Sequence, residues 1–131
     1  MVRSGPSQAV APESLRKEDR ILARADFQRC YRQGRRRSTG LLTLHRIESA
    51  AGRPRLGITA TRKVGGAVVR QRLRRRVREI YRRWPRRREL PDLDLVVHLR
   101  PAAARAPFAE LRDELESLLS QLDRRQGGRR A

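Results

Sequence analysis

Few residues in this chain can do chemistry, and most of those are cationic. There are two histidines, His45 and His98, and one cysteine, Cys30. A lone cysteine allows neither a disulfide framework nor a cysteine-based zinc site. The histidines fall in separate strand-like segments among polar neighbours, which suits structural histidines better than an acid–base pair. Asp92 and Asp94 sit near the start of a strand. Two such carboxylates can hold a metal, but a loop-capping or solvated role fits them better. The P-loop pattern is absent. No residue is therefore assigned to catalysis, and none to a metal.

What remains is recognition of phosphate. Between Arg62 and Arg88 thirteen basic residues stand against one acid, Glu79. Eight arginines, Arg70, Arg72, Arg74, Arg75, Arg76, Arg78, Arg82 and Arg83, share one helical segment. Like charges at helical spacing repel unless a partner neutralises them. Just before them, Gly65-Gly66 joins a strand to the helix beside Arg62 and Lys63. Backbone N–H groups and cationic side chains there can hold one phosphate together. The opposite balance holds from Pro107 to Asp123, with five acids and one base. A surface charged only for solubility would mix its signs.

The whole chain agrees with this. Its 131 residues carry a formal charge of +19 and a pI near 11.9, so no cellular pH removes the charge. Counterion release then favours a polyanionic partner. Of 33 basic residues 31 are arginine, whose planar fork pairs with phosphate and stacks on bases. A GC-rich coding sequence also favours arginine over lysine, but it does not create the excess of positive charge. No apolar run is long enough to span a membrane. The segment MVRSGPSQAVAPES has no apolar stretch of a secretory signal. A cytoplasmic protein is expected.

The elements that must position these residues follow from periodicity. Residues 1–14 read as a disordered leader, 15–123 as one domain, and 124–131 as a basic flexible tail. Phe27, Cys30 and Tyr31 recur at helical spacing over Arg24 to Gln33, with Gly34 as the C′ residue. Arg35-Arg36-Arg37 reads as a basic loop, with an additional strand possible before the central helix. Leu41–Ile47 and Leu56–Ala60 alternate as strands and are expected to pair as a hairpin. Val69, Leu73, Val77, Ile80 and Trp84 form the apolar stripe of a helix over Val68–Arg83, which Pro85 ends. Leu93–Leu99 alternates as another strand. A last helix, about Pro107 to Leu122, is lined by Phe108, Leu111, Leu115, Leu118, Leu119 and Leu122. The order α-β-β-(β)-α-β-α predicts an α+β fold: a two-layer α/β sandwich with helices covering one face of a small mixed sheet. The segment from Leu56 to Leu99 predicts parallel pairing of its two strands.

The run GITATRKVGGAVVRQRLRRRVREIY, from Gly57 to Tyr81, closely resembles the signature of the bacterial ribonuclease P protein subunit. Asp26-Phe27 with Tyr31 and Gly34, and Asp94-Leu95-Val96-Val97 with Arg100-Pro101, extend the resemblance over about residues 20–122. It implies the protein subunit of a ribonucleoprotein endonuclease that removes the 5′ leader of precursor tRNA. The RNA would carry the active site and coordinate Mg²⁺, with no cofactor on the protein. The partners implied are the catalytic RNA and the precursor tRNA leader, with no membrane and no protein partner. The family's central βαβ crossover is left-handed, against the usual rule.

By position, Arg62, Lys63, Arg70, Arg72, Arg74, Arg75 and Arg78 match the family's RNA-binding cations. Phe27 and Tyr31 match aromatics of its leader groove. The chain departs from the pattern at Gly66 and Gln71, where the family carries asparagine, and at His45, where an aromatic is common. The alternatives from other classes are a structural, ribosome-associated RNA-binding protein and a basic DNA-binding regulator. A poor match to helix-turn-helix geometry weighs against the latter.

Overall fold

The structure, a computed structural model, describes residues 15–125. The expected leader, residues 1–14, and the tail beyond residue 125 lie outside it. After a single 3₁₀ turn at Lys17–Asp19, the elements are α1 (Arg24–Gln33), β1 (Arg35–Ser38), β2 (Leu42–Glu48), β3 (Arg55–Thr59), α2 (Ala67–Arg83), β4 (Leu93–Leu99) and α3 (Phe108–Arg125). Short 3₁₀ turns at Arg87–Glu89 and Pro101–Arg105 flank β4. The fold is α+β, three helices on a mixed four-stranded sheet. The last helix runs past its expected end at Leu122 as far as Arg125, into the first residues read as tail.

The sheet order is β1-β2-β4-β3. β4 pairs antiparallel with β2 and parallel with β3, and α2 makes the crossover between β3 and β4. β2 and β3 do not form the expected hairpin, because β4 lies between them. β4 buries both its faces, all residues but His98 being enclosed, so it belongs at the sheet's centre. The arginine run is no loop either. Arg35–Ser38 forms edge strand β1, paired antiparallel with β2 and exposed along its length.

The main core lies between one sheet face and the helices α2 and α3. Leu42, Leu44, Leu56, Leu93, Leu95, Val97 and Leu99 meet Leu73, Val77, Ile80, Tyr81 and Trp84 of the α2 region and the leucines of α3. Tyr81, outside the predicted stripe, is buried with it, whereas Phe108 of α3 is partly exposed. Helices do not cover one face only. α1 lies against the opposite face, where Ile21, Cys30 and Val96 form a second, smaller core with Phe27 and Ile47 against it.

Two glycines let α1 approach so closely. A Cβ on Gly57 would lie 2.5 Å from the Phe27 ring. Gly34 ends α1 with extended backbone, φ −82° and ψ 172°, and not in the left-handed conformation of a C′ glycine. Its requirement is contact: a Cβ there would collide with the carbonyl oxygens of Arg46 and Cys30.

Candidate nucleic-acid interface

Two surfaces emerge, set on opposite sides of the sheet. The first is the outer face of α2 with the loop before it. The apolar stripe turns inward onto the main core, so the arginines between its members turn outward. Arg62, Lys63, Arg75 and Arg78 are exposed, and Arg70, Arg72 and Arg74 half-buried. Among the described residues none of these seven has a carboxylate partner. Arg70 Nε and Arg72 Nε are buried without a hydrogen-bond acceptor. A buried donor left unsatisfied costs about 1–3 kcal/mol, which an incoming phosphate oxygen would relieve. Glu79, the one acid of the segment, is committed to Arg82 at 2.7 Å and to Arg83. Those guanidiniums hold the Glu79 carboxyl below its ordinary range, Arg82 most strongly.

Gly66 caps α2 with no side-chain acceptor for its first-turn N–H groups. A Cβ there would meet nothing within 4 Å, so the departure from asparagine leaves open space beside Arg62 and Lys63. This face offers guanidinium, ammonium and amide donors. Mg²⁺ takes oxygen ligands, so these residues do not fit a bound Mg²⁺. Among the described residues no three His, Cys, Asp or Glu side chains gather as a metal centre. No described helix is long and apolar enough to cross a membrane.

The second surface is the groove between α1 and the sheet face it only partly covers. The Tyr31 ring stands edge-on to His45 with centroids 4.6 Å apart, and lies 6.3 Å from His98. Its hydroxyl is 2.7 Å from Thr59 Oγ1, which lies 2.9 Å from His98 Nδ1. This chain of hydrogen bonds holds the ring upright on the groove floor. Burial pushes the Tyr31 phenol up, with the Thr59 bond pulling the other way. Phe27, half-buried over Gly57, forms the inner wall. Arg36 of β1 is directly opposite His45 in the sheet, so one cation borders the groove.

The sequence thus brings Phe27 and Tyr31 together on one face, as their spacing implies, and places the seven signature cations elsewhere. It did not single out Thr59, His98 or Arg36 as groove residues. For Thr59 and His98 the available signal was strand alternation, which sets them on the face away from the leucines. Arg36 was hidden by reading its strand as a loop. Asp94 departs most. It is neither solvated nor a cap: fully buried, it takes Arg55 Nε and Nη2 at 2.8 Å each. Cys30 is buried core, as expected.

A family profile described as Ribonuclease P matches residues 15–123. The chain belongs to the ribonuclease P protein family. The ribonuclease P protein component of Symbiobacterium thermophilum is 41% identical over 109 residues, covering 82% of this chain and 93% of that one. That of Acidothermus cellulolyticus is 40% identical over 106 residues, covering 79% and 87%. The RNase P protein of Staphylococcus aureus superposes with a TM-score of 0.71 at 27% identity, covering 78% and 93%. That of Thermotoga maritima gives 0.66 at 31%, covering 80% and 96%. Ribonuclease P is a tRNA-processing ribonucleoprotein endoribonuclease, and this chain serves as its RNA-binding protein component. The family match runs against the ribosome-associated and DNA-binding alternatives.

Proposed function

We propose that the two surfaces divide the work of ribonuclease P. The cations Arg62, Lys63, Arg70, Arg72, Arg74, Arg75 and Arg78 hold the catalytic RNA by its phosphates. The groove of Phe27, Tyr31 and His45 takes the single-stranded 5′ leader of precursor tRNA. The protein carries no catalytic group and no cofactor. Mg²⁺ and the cleavage chemistry belong to the RNA, and the complex works in the cytoplasm, where precursor tRNA is made.

The observation that carries this is the separation of an unneutralised arginine face from an aromatic groove by the thickness of the sheet. A structured RNA is gripped through its backbone by guanidinium groups. A leader varies in sequence, and stacking on aromatic side chains tolerates every base. His45 is buried against the Tyr31 ring, at a position where the family commonly has a larger aromatic, so the stack in this groove rests chiefly on Tyr31.

Tyr31→Ala tests the division. Tyr31 is 37% exposed, so its truncation opens little of the core. Base stacking contributes about 1–3 kcal/mol per base. The variant, assembled with the catalytic RNA, should lose that much affinity for precursor tRNA and none for mature tRNA. A folded variant with an undiminished preference for precursor over mature tRNA would overturn the leader assignment.

A further inference from the structure

The three arginines of edge strand β1 stand outside the division of labour proposed above. All of β1 is exposed, and Arg35, Arg36 and Arg37 have no carboxylate partner among the described residues. Charge on an edge strand discourages pairing with a second sheet, a role that would treat the three alike. The register does not treat them alike. Directly opposed residues of an antiparallel pair share a face. Arg37 is opposite Leu44, a residue of the main core, and Arg35 is opposite Arg46, so both point away from α1. Arg36 is opposite His45 and points to the groove. Ser38 joins it on that face, its Oγ 2.8 Å from Thr43 Oγ1.

Ser38 begins a polar row that crosses the sheet. Thr43 is its partner on β2, His98 is opposite Thr43 on β4, and Thr59 is beside His98 on β3. Each strand thus gives one member to the α1 face. Thr59 Oγ1 lies 2.9 Å from His98 Nδ1 and 2.7 Å from the Tyr31 hydroxyl, so the row starts at the aromatic of the groove. Thr59, His98 and Thr43 are half-buried and Ser38 is exposed, so the row opens toward β1. No acid interrupts it. Asp26 and Asp94, the acids of this face, are engaged with Arg55. Asp94 is four residues from His98, about 13 Å along β4. Arg36 is one strand spacing, about 4.8 Å, from His45, on which the Tyr31 ring rests.

This arrangement suits a single strand of RNA. Hydroxyl groups donate and accept alike, so Thr43 and Ser38 fit the ribose 2′-hydroxyl of any nucleotide. A guanidinium beside them takes a phosphate. Stacking, hydroxyl and cation follow one another without reading a base edge. An acidic peptide added to the edge would use the arginines of both faces, whereas the polar row belongs to the face of Arg36 alone. We propose, on the reading of the groove as the leader's path, that the leader crosses this row from Tyr31 to β1 and that Arg36 binds the phosphate of the nucleotide next to the one on Tyr31.

The test uses the full chain assembled with the catalytic RNA and measures affinity for precursor and mature tRNA. Arg36→Ala should weaken precursor binding roughly three- to tenfold and leave mature tRNA unchanged. Arg37→Ala removes the same charge one residue away, on the other face, and should alter neither. Both side chains are exposed, so circular dichroism should match the parent. Equal losses from the two variants would mean general attraction by the charge of β1 and overturn the proposal. So would an Arg36→Ala variant that binds precursor as the parent does. Leaders carrying single uncharged methylphosphonate linkages then locate the contact. One linkage should weaken binding to the parent and leave binding to Arg36→Ala unchanged. It should adjoin the nucleotide whose abasic replacement weakens the parent but not Tyr31→Ala. Absence of such a linkage overturns the site on Arg36. A full preference for precursor in Tyr31→Ala overturns the leader reading itself, whereas a loss there with none in Arg36→Ala overturns only the path to β1.

Discussion

Arg55 grips Asp94 with two parallel hydrogen bonds of 2.8 Å, from Nε to Oδ1 and from Nη2 to Oδ2. The same Nη2 lies 3.4 Å from Asp26 Oδ2 on α1. One guanidinium thereby ties the central strand, the edge strand β3 and the helix that walls the groove. Its protonated form is reinforced, chiefly by the Asp94 bonds. Nearby, the Cys30 thiol donates to the Asp94 backbone carbonyl at 3.7 Å, and burial pushes its pKa up to about 11.

Asp94→Asn should therefore both destabilise the fold and loosen α1. Removing one partner of a buried pair costs about 3–5 kcal/mol. The Arg55 side chain is 23% exposed and keeps Asp26, so the lower end of that range is expected. Urea unfolding measures the first effect. Thiol labelling under native conditions measures the second: Cys30 should be inert in the parent and reactive in the variant. Equal unfolding midpoints would show that the clamp contributes nothing.

Gly57→Ala should push α1 away from the sheet. The new Cβ would lie 2.5 and 2.7 Å from two Phe27 ring carbons and 3.3 Å from Ile21 Cβ. Overpacking of this kind costs about 1–3 kcal/mol. Phe27→Leu in the same chain should recover part of the loss, because it removes the ring that collides. A double-mutant cycle by urea denaturation checks the coupling. Additive losses would mean that the contact is slack.

Arg75→Ala with Arg78→Ala should weaken binding of the catalytic RNA and flatten its salt dependence. Both side chains are exposed, so the melting temperature should hold. Each lost phosphate contact removes about 0.7–0.9 from the slope of log affinity against log salt, so the pair should remove about 1.4–1.8. An unchanged slope across a salt titration moves the RNA contact to other residues.

His45 should make stability fall on mild acidification. Its pKa is held below the ordinary 6.5, first by burial, then by His98 and Arg36. Between the folded and unfolded values the unfolded chain binds the extra proton, so stability rises with pH there. From about pH 7.5 to 5.5, melting temperature should drop in the parent and drop less in His45→Gln. Carboxylates such as Glu79, held low in the folded protein, act only at lower pH. Parallel pH profiles for the two proteins would remove His45 from the account.

Much of this protein could be read along the chain because the information is local. The stripe Leu73, Val77, Ile80 and Trp84 fixes which side of α2 faces inward, and with it which arginines face out. Helical phase depends on neighbours three and four residues away, so charge and geometry come from the same short run. Phe27 and Tyr31 share a helix face for the same reason. The signature from Gly57 to Tyr81 is contiguous, and the family followed from it.

The groove was decided by tertiary structure. Sheet order rests on hydrogen bonds between strands far apart in sequence, and alternation says which residues share a face but not which strand lies beside it. Leu41–Ile47 and Leu56–Ala60 are the nearest strands along the chain, yet β4 separates them and is buried on both faces, its leucine face by the main core and its Asp94, Val96 and His98 face by α1. Asp94 looks like any polar alternate until α1 closes over that face and Arg55 arrives from β3. Thr59 and His98 become groove residues only once β3 and β4 lie in parallel register beneath Tyr31. Burial on the second face is created by docking α1, and no periodicity within β4 records that event.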